Sequence, residues 1–258
     1  MLRWKKSVGT VDKGIELIEL LSEHSKGLTL KEMSSMLGLN KSTVHRIAKT
    51  YLAHGYVAQD PDLRKYCLSM KFLSISSKIL GSFDLREVAR KDLVEIHEKT
   101  REVTQLYVLR DRKQVCIDKI GLSRQGLTIS SFVGWTTEPH ASAAGKVLLS
   151  ELDLEEILAI YPNKSLKVYG KNTITDFDEF LKELKCVRAQ GYAIDDEEYY
   201  EGVRCVAAPI RANGKIVASV SVTGSIFRIT TKRIDQHLIP LIKGTADKIS
   251  KKLIDVTL

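Results

Sequence analysis

The sequence predicts an α+β protein in two parts: an N-terminal winged helix-turn-helix and a larger domain around an antiparallel sheet. Residues 28–57 are typical of two short helices separated by a turn, and a predicted hairpin follows them directly. The rest of the chain alternates strand and helix patterns, and its successive strands have short connections, which indicates antiparallel pairing. The excess of positive charge lies mainly in the first third of the chain.

The basic charge is unevenly divided between the two parts. Residues 1–80 contain 13 Lys and Arg against 7 Asp and Glu, and the other residues contain 27 against 25. The first part therefore carries +6 of the net charge of +8. This concentration favours a polyanionic partner for the N-terminal part and a different role for the rest.

The composition is typical of a globular protein that works in the cytoplasm. No apolar run approaches the ~20 residues of a membrane span, and the N-terminus lacks the apolar core of a signal peptide. The four cysteines have no CxxC spacing, which predicts reduced thiols rather than disulfides or a structural zinc site. We therefore expect a cytoplasmic location and no membrane partner.

The first predicted helices precede the turn of the helix-turn-helix. One runs from Val11 to Glu23, and its predicted buried stripe consists of Val11, Ile15, Ile18 and Leu21, widened by Leu17 and Leu20. The next runs from Leu30 to Leu37, with Leu30, Met33 and Leu37 on one face. Gly38 then suits the left-handed backbone that ends a helix.

The helix after the turn has the features of a DNA-recognition helix. Asn40 suits its N-cap, and the helix is predicted from Lys41 to about His54. Val44, Ile47 and Tyr51 fall along one side. Short polar and basic residues are left for the first turns and the outer face: Lys41, Ser42, Thr43, His45, Arg46 and Lys49. The alternative is an ordinary helical hairpin with a solvated basic face, and the spacing favours DNA binding over it.

A predicted hairpin after this helix is placed as a wing. Residues 56–59 and 66–68 are two short extended runs, and Asp60-Pro61-Asp62 between them suits a tight reversal. Arg64 and Lys65 lie where a wing would meet the phosphate backbone. A surface hairpin with solvated charges explains the hairpin equally well, but it does not explain its position.

Two further predicted helices lie at the expected boundary between the two domains. The first, about Ser69 to Leu80, is apolar on more than one side, which suits a helix that links domains or meets another subunit. The second runs from Asp84 to Glu102. We therefore predict a winged helix-turn-helix DNA-binding domain at 1–68, a linker helix at 69–81 and a second domain at 82–258.

The second domain is predicted as strands first, then helices, then a hairpin. The predicted strands are 105–109, 115–120, 127–132, 192–194, 206–210 and 216–222, and Asn213-Gly214 is a strong hairpin signal. Helices are predicted at 141–150, 153–161, 176–190 and 231–253. Pro240 is expected to kink the last of them.

No enzyme motif is present in the second domain. It lacks phosphate-binding glycine loops, HExxH and GxSxG. Cys205 and His140 could form a nucleophile and its base, but a buried thiol at the start of an apolar strand is favoured. The run Asp195 to Glu198 lacks His or Cys partners for a metal, and a solvated acidic loop is favoured for most of it. We expect no catalytic residue, no cofactor and no metal.

A binding function is better supported. Residues 139–146 open a helix with small residues, so its first amide N–H groups stay open to a carboxylate or phosphate. The alternative is that small residues merely allow close packing against the sheet. Ser221 and Thr223 share one face of their strand and would add hydroxyl groups to a cavity, and Cys205 could add a weak donor.

Four stretches carry a resemblance to a known family: 11–21 (VDKGIELIELL), 37–47 (LGLNKSTVHRI), 140–146 (HASAAGK) and 191–198 (GYAIDDEE), which continues to 202–209 (GVRCVAAP). Their order and spacing together resemble the IclR family of bacterial transcription regulators. The resemblance implies a winged helix-turn-helix joined by a helical linker to a GAF-like effector-binding domain. It also implies a homodimer, often a pair of dimers forming a homotetramer, on palindromic operators in double-stranded DNA.

The resemblance also implies a site for a small organic acid or aromatic metabolite. Ala143 and Ala144 match positions whose backbone receives the effector's carboxylate. Five other residues match positions that line the effector cavity: Ile129, Asp195, Cys205, Ser221 and Thr223. Thr223 stands where many members have serine, and Ala143 replaces a common glycine. The resemblance suggests a sugar-acid sensor, such as the regulators of pectin or 2-keto-3-deoxygluconate catabolism.

The leading hypothesis is therefore a ligand-responsive transcription regulator, most often a repressor in this family, and not an enzyme. The alternative is a small-molecule-binding enzyme or sensor whose helix-turn-helix serves protein contacts. Arg46→Ala discriminates between them, because duplex binding unaffected by that change, with a turnover lost in Cys205→Ala, would favour the enzyme.

Overall fold

The structure is a computed structural model that describes residues 9–81, 84–121 and 131–254. The chain divides into two compact units, Met1–Ser82 and Phe83–Leu258. The predicted linker helix at 69–81 and its boundaries remain a prediction. None of the helices in the described ranges combines the length and apolar content that crossing a membrane requires.

The first unit begins with three helices: α1 (Gly9–Ser22), α2 (Leu30–Leu37) and α3 (Lys41–Ala53). The termini of α2 and α3 follow from local chemistry. Thr29 and Glu32 form a reciprocal capping box at the start of α2, and Gly38 ends it with φ of 63°. The Asn40 side chain caps α3 by accepting a hydrogen bond from the Thr43 amide. The turn between the two helices is therefore the one that the sequence predicts.

The buried face of α1 differs from the prediction. Val11 and Ile15 are 57% and 50% exposed, and Gly14, Leu17 and Leu21 are buried instead. A Cβ atom at position 14 would lie 2.6 Å from the Tyr51 hydroxyl oxygen, so the glycine suits this close approach to α3. Six apolar residues are spread around α1, so their spacing alone does not select the face that is buried.

The hairpin after α3 consists of β1 (Val57–Gln59) and β2 (Tyr66–Leu68), which pair antiparallel. Tyr66 also exchanges two backbone hydrogen bonds with Leu28, so the hairpin is joined to the segment before α2. In the turn, the Asp60 carboxylate accepts hydrogen bonds from the amides of Asp62 and Leu63. Helix α4 (Lys71–Gly81) follows. The fold of a winged helix-turn-helix is thereby confirmed.

The second unit is built on a six-stranded antiparallel sheet in the order β5-β4-β3-β8-β7-β6. Its strands are β3 (Val103–Arg110), β4 (Lys113–Ile120), β5 (Thr136–Thr137), β6 (Ala193–Asp196), β7 (Val203–Ala212) and β8 (Lys215–Ser225). Its helices are α5 (Asp84–Thr100), α6 (Ala143–Leu149), α7 (Leu154–Ile160), α8 (Phe177–Gln190), the single turn α9 (Thr231–Arg233) and α10 (Ile239–Ile254). The α+β class with an antiparallel sheet is confirmed.

The sheet forms two buried clusters of side chains. Helices α5 and α10 pack with strands β3, β7 and β8 in the largest cluster, which includes Leu93, Val220 and Ile242. Helix α6 packs with β3, β7 and β8 in a second cluster that includes Tyr107 and Val147. The first residues of α6 therefore lie against the sheet, where the cavity described below is found.

Three elements differ from their predictions. Most of the predicted strand at 127–132 lies outside the described residues, and Ser131 and Phe132 are not in a strand. The predicted helix at 141–150 is divided into a 3-10 turn (Pro139–Ala141) and α6. The predicted helix at 231–253 is interrupted by a π-helical turn (Ile234–Leu238). This turn ends two residues before Pro240, which has no amide hydrogen to donate, so the irregularity lies ahead of the proline.

Candidate functional site

Helix α3 presents a basic and polar surface. Its inward face is fixed by Val44, Ile47 and Ala48, which are buried. Because these residues face the core, the side chains of five predicted DNA-binding residues are exposed: Lys41, Ser42, His45, Arg46 and Lys49. The sixth, Thr43, is half-buried. The structure therefore leaves the predicted face available.

The wing adds basic groups to the same surface. Arg64 is exposed and Lys65 is half-buried at the end of the turn. One groove is lined jointly by α3 and β-hairpin residues, with the segment that opens α2 as its third side. Its lining residues are Thr29, Leu30, Lys31, Lys41, His45, Gln59, Arg64 and Tyr66. This lining includes three cations and no carboxylate, which suits a polyanion.

The second unit contains a cavity between the start of α6 and strands β3, β6, β7 and β8. Six of the seven predicted effector-binding residues line it: Ala143, Ala144, Asp195, Cys205, Ser221 and Thr223. The seventh, Ile129, lies outside the described residues. Residues from four separate parts of the sequence are thus brought to one place.

Other lining residues were not predicted. They are Gln105, Tyr107, Gln114, Ser131, Trp135, Ser142, Tyr199, Tyr200 and Val203. Gln105 could have been noticed, because it is a polar residue within an apolar strand pattern. Trp135 and Tyr199 come from connecting segments without periodicity, so no sequence pattern places them at a cavity. Their rings meet edge to face with centroids 5.7 Å apart.

One hydrogen-bond network occupies part of the cavity wall. The Thr223 hydroxyl donates to Gln105 Oε1 at 2.9 Å. The Gln105 amide nitrogen donates to the Tyr107 hydroxyl at 2.8 Å and to Ser131 Oγ at 2.5 Å. Both hydrogens of this amide nitrogen are therefore used within the protein. Gln105 and Thr223 form a fixed wall rather than a set of free hydrogen-bonding groups.

Other polar groups at the cavity have no such partner. Ser221 Oγ is buried and makes no hydrogen bond with any described residue. At the start of α6, the Ser142 side chain accepts from the Gly145 amide. The amides of Ala143 and Ala144 precede Gly145 in the first turn, where the helix supplies no acceptor, and no acceptor is found for them in the described part of the chain. These groups are available to an anion or a hydroxyl group of a ligand.

The small residues of the 139–146 segment also serve packing. A Cβ atom at Gly145 would lie 2.0 Å from the carbonyl oxygen of Pro139. Glycine is therefore required where α6 crosses the preceding 3-10 turn. Ligand binding and close packing, the two interpretations of this segment, do not exclude each other. Gly145 packs closely, while the amides of Ala143 and Ala144 stay open.

The acidic run is buried, so the prediction of a solvated acidic loop is wrong for most of it. Asp195, Glu197 and Glu198 are all buried, and only Asp196 is exposed. The reason is that each buried carboxylate has partners distant in sequence or across the turn. Glu198 forms an ion pair with Lys146 at 2.6 Å, and Glu197 accepts from the Gly202 amide at 2.9 Å.

The charge of Asp195 is set by its surroundings. Burial raises the pKa of Asp195 to about 7, and the neighbouring negative charge of Glu198 acts in the same direction. The Glu198 amide, which donates to Asp195 Oδ1 at 2.8 Å, and the Lys146 ammonium group act against this rise. A carboxyl group that changes its charge near neutral pH therefore faces the cavity.

The possible nucleophile and base are not brought together as a catalytic pair. His140 is fully buried, and its Nε2 lies 2.8 Å from the Lys167 carbonyl oxygen. It does not line the cavity that Cys205 faces. Burial raises the pKa of the Cys205 thiol well above its ordinary value, so this group is not an activated nucleophile. Across the described ranges, no group of His, Cys, Asp and Glu is placed to hold a metal ion.

Comparison with known proteins gives concordant results for both units. Residues 10–61 match the protein family described as the IclR helix-turn-helix domain. Residues 77–251 match the family described as the bacterial transcriptional regulator IclR C-terminal domain. The chain is 32% identical to the HTH-type transcriptional regulator XynR of Escherichia coli K12 over 223 residues, 86% of this chain and 88% of that protein.

Two further relatives cover nearly the whole chain. The HTH-type transcriptional regulator KdgR of Escherichia coli K12 is 32% identical over 248 residues, 96% of this chain and 93% of that protein. The crystal structure of the Thermotoga maritima IclR has a TM-score of 0.81 at 27% identity, covering 96% of this chain and 100% of that one.

Ser221→Ala is expected to stabilise the ligand-free protein. It removes a buried hydroxyl group that has no partner, and the cost of such a group is on the order of 1 kcal/mol. Urea unfolding measures the change. Ser219→Ala is the matched control two residues earlier on β8, because the Ser219 hydroxyl donates to the Ala208 carbonyl oxygen. Destabilisation by Ser221→Ala equal to that of the control would contradict the prediction.

The free energy of unfolding is expected to fall as pH rises from about 4 to about 7 through Asp195. In this window the native Asp195 keeps a proton that the unfolded chain, with the ordinary pKa of 3.8, has released. The loss approaches about 1.4 kcal/mol per pH unit, and it ends above the native pKa. Urea unfolding at several pH values should show a flatter profile for Asp195→Asn. Asp196→Asn, at the exposed neighbour, should keep the parent profile.

Proposed function

The chain belongs to the IclR family of bacterial transcription regulators, and from this premise we propose how it binds DNA and what it senses. The predicted family, the regulatory function and the prediction that the protein is not an enzyme are confirmed by the family match. The proposal concerns the residues that carry these functions. The observation that carries it is the convergence of six predicted residues on one cavity, where Ser221 and the amides of Ala143 and Ala144 have no partner among the described residues.

The DNA-binding surface that we propose consists of α3 and the wing. The start of α3 enters the major groove, where Lys41, Ser42, Thr43, His45, Arg46 and Lys49 contact bases and phosphates. Arg64 and Lys65 hold the wing against the phosphate backbone. The groove shared by α3, β1 and the start of α2 supports this assignment, because its charged lining is entirely basic. The partner is double-stranded DNA.

The ligand that we propose is a small organic acid with at least one hydroxyl group. Its carboxylate binds the open amides of Ala143 and Ala144, since the first turn of a helix favours an anion. Its hydroxyl group binds Ser221 Oγ and the Asp195 carboxyl group, which still have hydrogen-bonding capacity. Cys205 and Thr223 complete the wall. Ile129, which lies outside the described residues, is proposed as an apolar lining residue.

The ligand acts by favouring one arrangement of the subunits. We propose a homodimer, or a homotetramer formed by two dimers, on a palindromic operator, with the protein acting as a repressor in the cytoplasm. A ligand shifts operator affinity only by its differential affinity for the two arrangements, typically ~1–3 kcal/mol.

Arg46→Ala is expected to weaken operator binding by about 1–3 kcal/mol, because an arginine contact to the duplex is lost. For the parent, the logarithm of the association constant should fall linearly with the logarithm of salt concentration, by about 0.9 per phosphate neutralised. Fluorescence anisotropy with the protein's own upstream DNA measures both effects. Arg188→Ala is the control, since Arg188 is an exposed helical arginine of the second unit. Salt-independent binding, or equal losses in the two variants, would sink the assignment.

A thermal-shift screen tests the ligand class. Gluconate and galacturonate represent hydroxylated sugar acids, and pyruvate and 2-oxoglutarate represent keto acids that lack the hydroxyl group of the proposed ligand. The ligand should raise Tm, because binding to the native state stabilises it by about 2.7 kcal/mol at a ligand concentration about a hundredfold above Kd. Glucose and galactose, which lack the carboxylate, are matched controls and should give no shift. Equal shifts by an acid and its neutral sugar would refute the carboxylate assignment.

A further inference from the structure

Lys146 is a buried cation beside the cavity. It lies on α6, its side chain is 2% exposed, and its Nζ atom is 2.6 Å from Glu198 Oε1 and 3.1 Å from Glu183 Oε1. Removing an ammonium group from water costs several kcal/mol unless carboxylates compensate it at short distance. These two contacts satisfy that requirement and join α6 to α8 and to the turn after β6.

The turn after β6 carries part of the cavity wall. The Glu198 amide donates to Asp195 Oδ1 at 2.8 Å, and the next residues, Tyr199 and Tyr200, line the cavity. The Glu198 carbonyl oxygen accepts hydrogen bonds from the Thr173 hydroxyl at 2.6 Å and the Gly170 amide at 3.0 Å. Glu198 is therefore one of the residues that fix this turn, together with Glu197, which accepts from the Gly202 amide, and Asp196, whose carbonyl oxygen accepts from the Asn172 side chain.

The opposite wall begins three residues before Lys146. Ala143 and Ala144 line the cavity through the first turn of α6, and Lys146 follows in the same helix. The ion pair between Lys146 and Glu198 thus joins the wall that has open amides to the wall that carries Asp195. No second ion pair or hydrogen bond in the described part of the chain joins α6 to residues 195–200.

We propose that Lys146 is a positioning residue of the ligand cavity. It holds the turn of Asp195 and Tyr199 against α6 through Glu198, and it thereby fixes the distance between the carboxylate-binding amides and the hydroxyl-binding carboxyl group. This inference rests on the proposed function for the identity of the ligand. The positions and charges that it concerns can be measured without a ligand.

Lys146 also affects the charge state of Asp195. Four titratable groups interact with Asp195: Tyr107 of β3, Lys146 of α6, Glu198 of the turn and Cys205 of β7. Glu183 of α8 acts on Lys146 and Glu198. The Lys146 ammonium group lowers the pKa of Asp195, and the Glu198 carboxylate raises it. Removal of the Lys146 charge should therefore raise the pKa of Asp195, and removal of the Glu198 charge should lower it.

The competing explanation is that Lys146 only stabilises the fold. Breaking a buried pair destabilises a protein wherever it lies, so a lower Tm alone does not separate the two explanations. Lys252 provides a control ion pair away from the cavity: its side chain is 39% exposed, and its Nζ atom lies 2.5 Å from the buried Asp92, which Lys248 also contacts at 2.9 Å. Neither Lys252 nor Asp92 lines the cavity.

Trp135 reports on the shape of the cavity. It lines the cavity, and its ring meets Tyr199 edge to face. The chain has two tryptophans, so Trp4→Phe leaves Trp135 alone. In that background we expect Lys146→Met to increase acrylamide quenching of Trp135 at a temperature where the protein is folded, because Tyr199 loses its position. Lys252→Met should lower Tm without changing the quenching. Unchanged quenching in Lys146→Met, with a Tm loss like that of Lys252→Met, would overturn the proposal.

A second measurement uses the titration of Asp195. The effect of Asp195→Asn on the free energy of unfolding changes with pH between the unfolded and the native pKa of Asp195, and it becomes constant above the native pKa. We expect the pH at which it becomes constant to rise by about one unit in Lys146→Met and to fall in Glu198→Gln, since nearby charges shift a carboxyl pKa by such amounts. Glu198→Gln keeps the backbone amide contact, so it tests the proposal even if Lys146→Met does not fold. An effect that becomes constant at the same pH in Glu198→Gln and in the parent would overturn the proposal.

Failure of the proposed ligand class leaves a different signature. If no acid raises Tm but both Lys146→Met effects are found, the ligand assignment fails and the positioning role stands. If an acid binds Lys146→Met as tightly as the parent, the positioning role is refuted and the ligand assignment stands.

Discussion

One ammonium group of the second unit is buried among carboxyl groups, and the two polar walls of the cavity lie on either side of it. Lys146 is held by Glu198 and Glu183, and Glu198 in turn fixes the turn that carries Asp195. Because a buried charge is stable only with close partners, this arrangement prescribes where α6, α8 and the turn after β6 lie relative to one another. The cavity is a consequence of that arrangement, since its two polar walls are the start of α6 and the turn.

Two polar groups at the cavity carry a cost of burial. The hydroxyl of Ser221 has no partner, and burial gives Asp195 a pKa near neutrality. Both features cost stability, and the ligand that we propose would relieve both by bringing a matching hydroxyl group. Part of its binding free energy would then come from groups that the fold has desolvated in advance.

The first unit could be predicted from local sequence because its determinants are local. The capping box of Thr29 and Glu32, the left-handed Gly38 and the Asn40 cap act within a few residues of one another, and the structure contains each of the helices that they predict. The buried face of α1 could not be predicted in the same way. It involves the close approach of Gly14 to Tyr51, which are far apart in sequence.

The cavity could be predicted only in part, because many of its contacts join residues that are far apart in sequence. The family resemblance placed Ala143, Asp195 and Ser221 together, and the hydroxyl groups of β8 follow from strand alternation. The burial of the acidic run could not be predicted, because its main partner, Lys146, is 52 residues away from Glu198. The aromatic wall of Trp135 and Tyr199 arises from connecting segments, where no periodicity marks a buried side chain.

We propose that binding of a small acid in the cavity of the second unit changes the affinity of the first unit for DNA. The most direct test is the affinity of the protein for its operator, measured at fixed salt concentration with and without the acid that raises its Tm. We expect the acid to change the free energy of operator binding by ~1–3 kcal/mol, and Ser221→Ala to weaken this response while leaving operator affinity without the acid unchanged. An acid that binds the cavity at saturation and leaves operator affinity unaltered would contradict the account.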